Sequence, residues 1–137
     1  LAHAEMSVGA VKGVEIGDGF EAAKAVGSVN NDDFCRNADG TIGKRTNHSG
    51  GILGGMSDGS PVVLRAAFKP TPSISRPQQT VNRAGEEVET VIKGRHDPII
   101  VPRAVVVVET MAAFTAADLM LQNAVAKLDN VRKVYER

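Results

Sequence analysis

Apolar and polar residues alternate from Ala10 to Gly17 (AVKGVEIG), the two-residue period of a strand with one covered face. Gly17-Asp18-Gly19 then turns this strand into a short helical run, Phe20 to Val26. From Ser28 to Lys44 the chain is polar, with a turn signal at Ala38-Asp39-Gly40, so residues 28–45 are expected to form a mobile loop or hairpin. A further strand is predicted over Pro61 to Phe68 (PVVLRAAF). Two short strands, Gln79 to Asn82 and Glu86 to Ile92, flank Arg83-Ala84-Gly85 as a hairpin. The most apolar stretch runs from Ile99 to Leu121, and Pro98 and Pro102 suit the start of a helix better than its interior. Between Ala104 and Leu121 the polar exceptions are Glu109, Thr110, Thr115 and Asp118. At about 100° per residue, Glu109 and Asp118 fall on opposite faces. Such a helix is apolar on nearly every side, which predicts burial between layers. The charged segment 127–137 reads as a solvated tail, helical at most.

A chain of 137 residues suits one domain with a core of its own. Sixteen basic and sixteen acidic residues cancel, which argues against nucleic acid or a membrane surface as partner. The apolar stretch, interrupted by Pro102 and Arg103, is expected to be too short to span a bilayer. A single cysteine, Cys35, cannot form an internal disulfide, so a reducing compartment, the cytoplasm, is expected. The chain starts at Leu1 without methionine or targeting pattern and reads as a piece of something longer.

Two familiar motifs are present only superficially. Gly17, Gly19 and Ala22 match a dinucleotide fingerprint, but the region that should hold a second parallel strand is Asn30-Asn31-Asp32-Asp33 and Asn37-Ala38-Asp39-Gly40, which is loop. Gly43-Lys44 is no phosphate loop, because Ala38 stands where that motif needs glycine and Arg45 follows the lysine. More informative is Asn47 to Gly59, with five glycines among residues 50–59, where bare backbone can approach a ligand or another segment closely. Lys69-Pro70-Thr71-Pro72-Ser73 is a stiff extended segment offering one cation and two hydroxyls. Gly94-Arg95-His96-Asp97-Pro98 sets a guanidinium, an imidazole and a carboxylate at the start of the apolar helix, where Asp97 serves either chemistry or as a helix cap.

In series, Val11 to Phe20, the glycine segment after Asn47, Lys69-Pro70-Thr71, and Gly94 to Pro98 with Pro102-Arg103-Ala104 closely resemble chorismate synthase, over essentially the whole chain. The likeness is to the C-terminal portion of that family. It implies an α+β fold, a β-α-β sandwich with helices between sheets, here only in part, and a homotetramer. It implies a carbon–oxygen lyase of the shikimate pathway that converts 5-enolpyruvylshikimate 3-phosphate to chorismate and phosphate with reduced FMN, and some members also reduce flavin with NADPH. Carried over residue by residue, the family's flavin contacts fall on Gly9, Ala10, Gly54, Lys69, Pro70, Thr71, Pro72, Ser73 and Arg95. Asp97 matches the family's proposed catalytic acid, which helps take a proton from flavin N5. The family's two catalytic histidines and several substrate arginines belong to a portion this chain lacks, and His3, His48 and His96 do not match them. Ile99 stands where many members have a small residue or cysteine, and Val106 where proline is frequent. On these grounds the isolated residues are expected not to turn over. Two readings of other classes stand beside this one: a non-catalytic flavin- or anion-binding module, and an oligomerisation domain whose glycines serve packing.

Overall fold

The computed structural model describes residues 1–136, so the last residue of the predicted tail, Arg137, lies outside the described residues. Its frame is an antiparallel ladder of two strands far apart in sequence, β1 (Val11–Ile16) and β6 (Leu64–Phe68). Val11 pairs with Phe68 at one end and Ile16 with Leu64 at the other, with a bulge between Val11 and Gly13. Backbone hydrogen bonds extend the ladder at both ends: Lys69 N–H donates to Ala10 O (2.8 Å) and Gly17 N–H to Val63 O (3.0 Å). The cross-strand pair Glu15–Arg65 adds an ion pair at 3.0 Å.

Three local hairpins hang from this frame: β2 (Phe34–Arg36) with β3 (Ile42–Lys44), β4 (Ile52–Leu53) with β5 (Met56–Ser57), and β7 (Gln78–Val81) with β8 (Glu87–Thr90). Their turns follow local chemistry. Asp39 Oδ1 accepts from the Thr41 N–H and hydroxyl, and Asn82 Oδ1 from the N–H groups of Ala84 and Glu86. Gly54 and Gly55, both at positive φ, form the two-residue turn between Leu53 and Met56. The helical run after Gly17 is a 3-10 turn, Gly19–Lys24, followed by the short helix α2 (Gly27–Asn30). An opening helix, α1 (Ala2–Met6), packs on β1 and on the long helix α3 (Val101–Val125), and α4 (Leu128–Tyr135) closes the chain.

Three expectations are corrected. Helix α3 is not buried between layers: Ala104 is its one buried residue, and Val108, Met111, Ala112 and Thr115 continue a single half-covered stripe. Around the rest of its circumference Val106, Phe114, Met120 and Leu121 are 60–72 % exposed. Nor is α3 interrupted, because Pro102 and Arg103 lie in its first turn. Its 25 residues are long and apolar enough to cross a membrane by length and composition alone. Finally, the core is small. Val11 and Ala104 are the buried hydrophobic residues among those described, and the accessible surface is 10998 Å². A compact 14.4 kDa monomer would expose about 6,800 Å². The chain therefore presents surface that a self-sufficient domain would cover.

Candidate functional site

At one end of the β1–β6 ladder the chain meets two of the predicted segments. Ala10 is the only non-glycine residue at positive φ (+69°) among those described, a conformation that costs an L-residue about 1–2 kcal/mol. Its carbonyl accepts the Lys69 N–H, so Gly9-Ala10 lies directly beside the start of Lys69–Ser73. Within that segment the Thr71 hydroxyl is buried without a hydrogen-bond partner. Native buried hydroxyls are nearly always satisfied, so this orphan calls for a partner that the described residues do not supply. Gln78 Nε2–H donates to Pro72 O at 3.1 Å and ties the segment to β7.

The start of α3 comes to the same end. Ala66 and Phe68 of β6 face Val101, Ala104, Val105, Val108 and Glu109 across a cavity of about 170 Å³. Lys69 directly follows one wall, and Asp97 lies four residues before the other. Gly94 takes φ +142°, and His96 Nε2 lies 3.0 Å from Ile92 O, which turns the chain into the Arg95–Asp97 segment. Asp97 is not the helix cap: Ile100 holds that position without a side-chain bond. Instead Asp97 Oδ2 accepts from Arg103 Nη1 at 2.8 Å, leaving Oδ1 without a protein partner among the described residues. Arg95 is exposed and makes no ion pair among those residues. Arg103 was missed as a partner of Asp97, although a cation six residues on, past a proline turn, was the available signal.

Gly54 is reached from the opposite end of the ladder. There the backbone of Asn47–Gly51 crosses the end of β1. A Cβ on Gly17 would lie 2.1 Å from His48 O, and one on Gly50 2.3 Å from Gly17 N. Asp18 N–H donates to His48 O (2.8 Å), while Asp18 Oδ2 meets His48 Nδ1 at 2.6 Å and Asn30 Nδ2 at 3.2 Å. Asp32 accepts from the N–H groups of His48 and Ser49 and from the Thr46 hydroxyl. Burial would push this carboxyl up, but the bonds from Ser49, His48 and Thr46 outweigh it and hold Asp32 well below the usual carboxylate range. The glycines thus divide: Gly17, Gly50 and Gly51 let backbones cross, whereas Gly54 and Gly55 have nothing within 4 Å of a Cβ. A larger hollow, about 490 Å³, opens on the β2–β3 ribbon; like the cavity between β6 and α3, it is lined by none of the predicted site residues.

Comparison with known proteins shows the family. The chorismate synthase family model matches residues 1–121. A chorismate synthase of Lachnoclostridium phytofermentans is 64 % identical over all 137 residues, which amount to 37 % of the relative. One from Methanocaldococcus jannaschii is 57 % identical over 123 residues, 89 % of this chain and 32 % of the relative. A solved structure described as the crystal structure of chorismate synthase superposes with a TM-score of 0.69 at 34 % identity, over 98 % of this chain and 33 % of its own. The chain spans about a third of the length of the curated relatives it matches.

Proposed function

The chain belongs to the chorismate synthase family, and from that premise we propose that it supplies the flavin-contacting and proton-handling C-terminal portion of an enzyme that eliminates phosphate from 5-enolpyruvylshikimate 3-phosphate. The elimination breaks the C–O bond to phosphate and a ring C–H bond, and yields chorismate, inorganic phosphate and a proton. When bound, reduced FMN would supply electron density to the elimination, with no net change in its oxidation state. Ala10, Lys69, Pro70, Thr71, Pro72 and Ser73 would hold it at one end of the β1–β6 ladder, with Gly9 through bare backbone and Arg95 through its exposed guanidinium, and Gly54 would meet it from the hairpin that starts at the other end. The orphaned Thr71 hydroxyl is the feature of these residues that fits such a ligand. Asp97 moves the proton: Arg103 fixes one carboxylate oxygen and leaves Oδ1 as the free acceptor.

One observation supports this reading: β6, which Lys69 follows, and α3, which Asp97 precedes by four residues, face each other across one cavity. The remaining length of the relatives would furnish the substrate's other cationic ligands, in an aqueous, cytoplasmic homotetramer free of nucleic acid and membrane. The test is anaerobic assay of the full-length protein with reduced FMN. Asp97→Asn should lower kcat about 100-fold, in line with loss of a general acid–base, with flavin affinity within about twofold. Undiminished kcat in that variant would move the reading to a non-catalytic flavin- or anion-binding module.

A further inference from the structure

Among the ion pairs of the described residues, the most deeply buried lies at the base of the glycine hairpin. The Lys44 side chain is 5 % exposed and that of Asp58 is 13 % exposed. Lys44 ends β3 and Asp58 directly follows β5. Lys44 Nζ donates to Asp58 Oδ2, Asp58 Oδ1 accepts the Ser60 N–H at 2.9 Å, and the Asp58 N–H donates to Gly51 O at 3.1 Å. One residue thus closes the loop from Gly51 to Asp58 on itself and ties it to the neighbouring ribbon. On the preceding side the Asp18–His48 pair and the Asp32 carboxylate fix residues 46–49.

Burying an ammonium costs several kcal/mol unless it is paired, and apolar side chains would serve equally where stability is the only demand. What a directed pair adds is register. The tip it supports needs that, because Gly54-Gly55 has no side chain and no atom within 4 Å of either Cβ position. The β4–β5 pairing fixes the turn on its own hairpin, so the aim of the hairpin as a whole is set at its base.

We propose that Lys44 and Asp58 are positioning residues that aim the Gly54-Gly55 turn at the flavin; the inference rests on the flavin reading above. It is tested in the full-length protein with the apolar replacement Lys44→Met/Asp58→Leu and the conservative Lys44→Arg, by reduced-FMN titration, steady-state kinetics and thermal unfolding. The apolar pair should keep the unfolding midpoint near that of the wild type while weakening flavin binding about tenfold, with kcat at saturating flavin within about twofold. Lys44→Arg should bind flavin within about threefold of wild type. A folded apolar variant with wild-type flavin affinity overturns the proposal. If that variant does not fold, Asp58→Asn decides: it keeps an acceptor for Ser60 but loses the charge, and unchanged flavin affinity in it overturns the proposal equally. A wild-type protein that binds no reduced FMN overturns the flavin reading itself, and this inference with it.

Discussion

Glycines 50 and 54 share nearly the same backbone conformation, φ +61° and +58°, for different reasons. Alanine at either position meets the left-handed cost of about 1–2 kcal/mol. At Gly50 the added Cβ would also lie 2.3 Å from Gly17 N and 2.5 Å from Gly17 Cα, so two backbone segments must separate. Gly50→Ala is therefore expected to destabilise the full-length protein by about 3 kcal/mol or more. Gly54→Ala should cost only about 1 kcal/mol while reducing flavin affinity about tenfold. Denaturant unfolding and flavin titration of both variants check this. Equal loss of stability, or flavin binding by Gly54→Ala at wild-type strength, would refute the division of the glycines into packing and contact positions.

The turn at residues 46–49 depends on one carboxylate. Asp32 binds three donors there, and its folded value lies below the unfolded value of about 3.9. A depressed value means that its stabilisation is present above about pH 4 and fades as pH falls through the folded value. Asp32→Ala should thus lower the unfolding midpoint by several degrees at pH 7, matching about 2 kcal/mol of charged hydrogen bonds, and by progressively less below pH 4. A midpoint difference that is constant from pH 7 to pH 3 would contradict this. Elements held by such local chemistry were legible in the sequence. The alternation of β1, the Asp39-Gly40 turn, the Ala84-Gly85 turn and the proline-led start of α3 all matched their predicted places. The β4–β5 hairpin was hidden because glycine required for backbone crossing and glycine required for a type I′ turn look the same in sequence. Helix α1 gave too little signal, at five residues and without a side-chain cap. The pairing of Lys44 with Asp58, fourteen residues apart, depends on how two hairpins are set side by side, which no local pattern encodes.

At the scale of the molecule, the composition of α3 states that it must be covered but not by what. The exposed surface exceeds that of a compact monomer of this mass by about 4,000 Å², several times the roughly 800 Å² that one partner buries in a standard interface. Phe114, Met120 and Leu121, each 70 % or more exposed, lie in that surface. Lipid is a poor match for a helix that carries Glu109 and Asp118 on opposite faces, since either orientation puts a carboxylate into hydrocarbon. Protein is the better cover, and the relatives have about twice again this chain's length from which to supply it. In the full-length protein, amides of α3 should accordingly exchange slowly with solvent. Phe114→Asp should destabilise it by about 3 kcal/mol or more, because the charge would be buried without a partner. The isolated 137 residues should bind an apolar dye and lose that binding when co-expressed with the rest of the family-length chain. Fast exchange along α3 in the full-length protein, together with an unchanged unfolding midpoint for Phe114→Asp, would show that this face stays open. The excess surface would then require another partner.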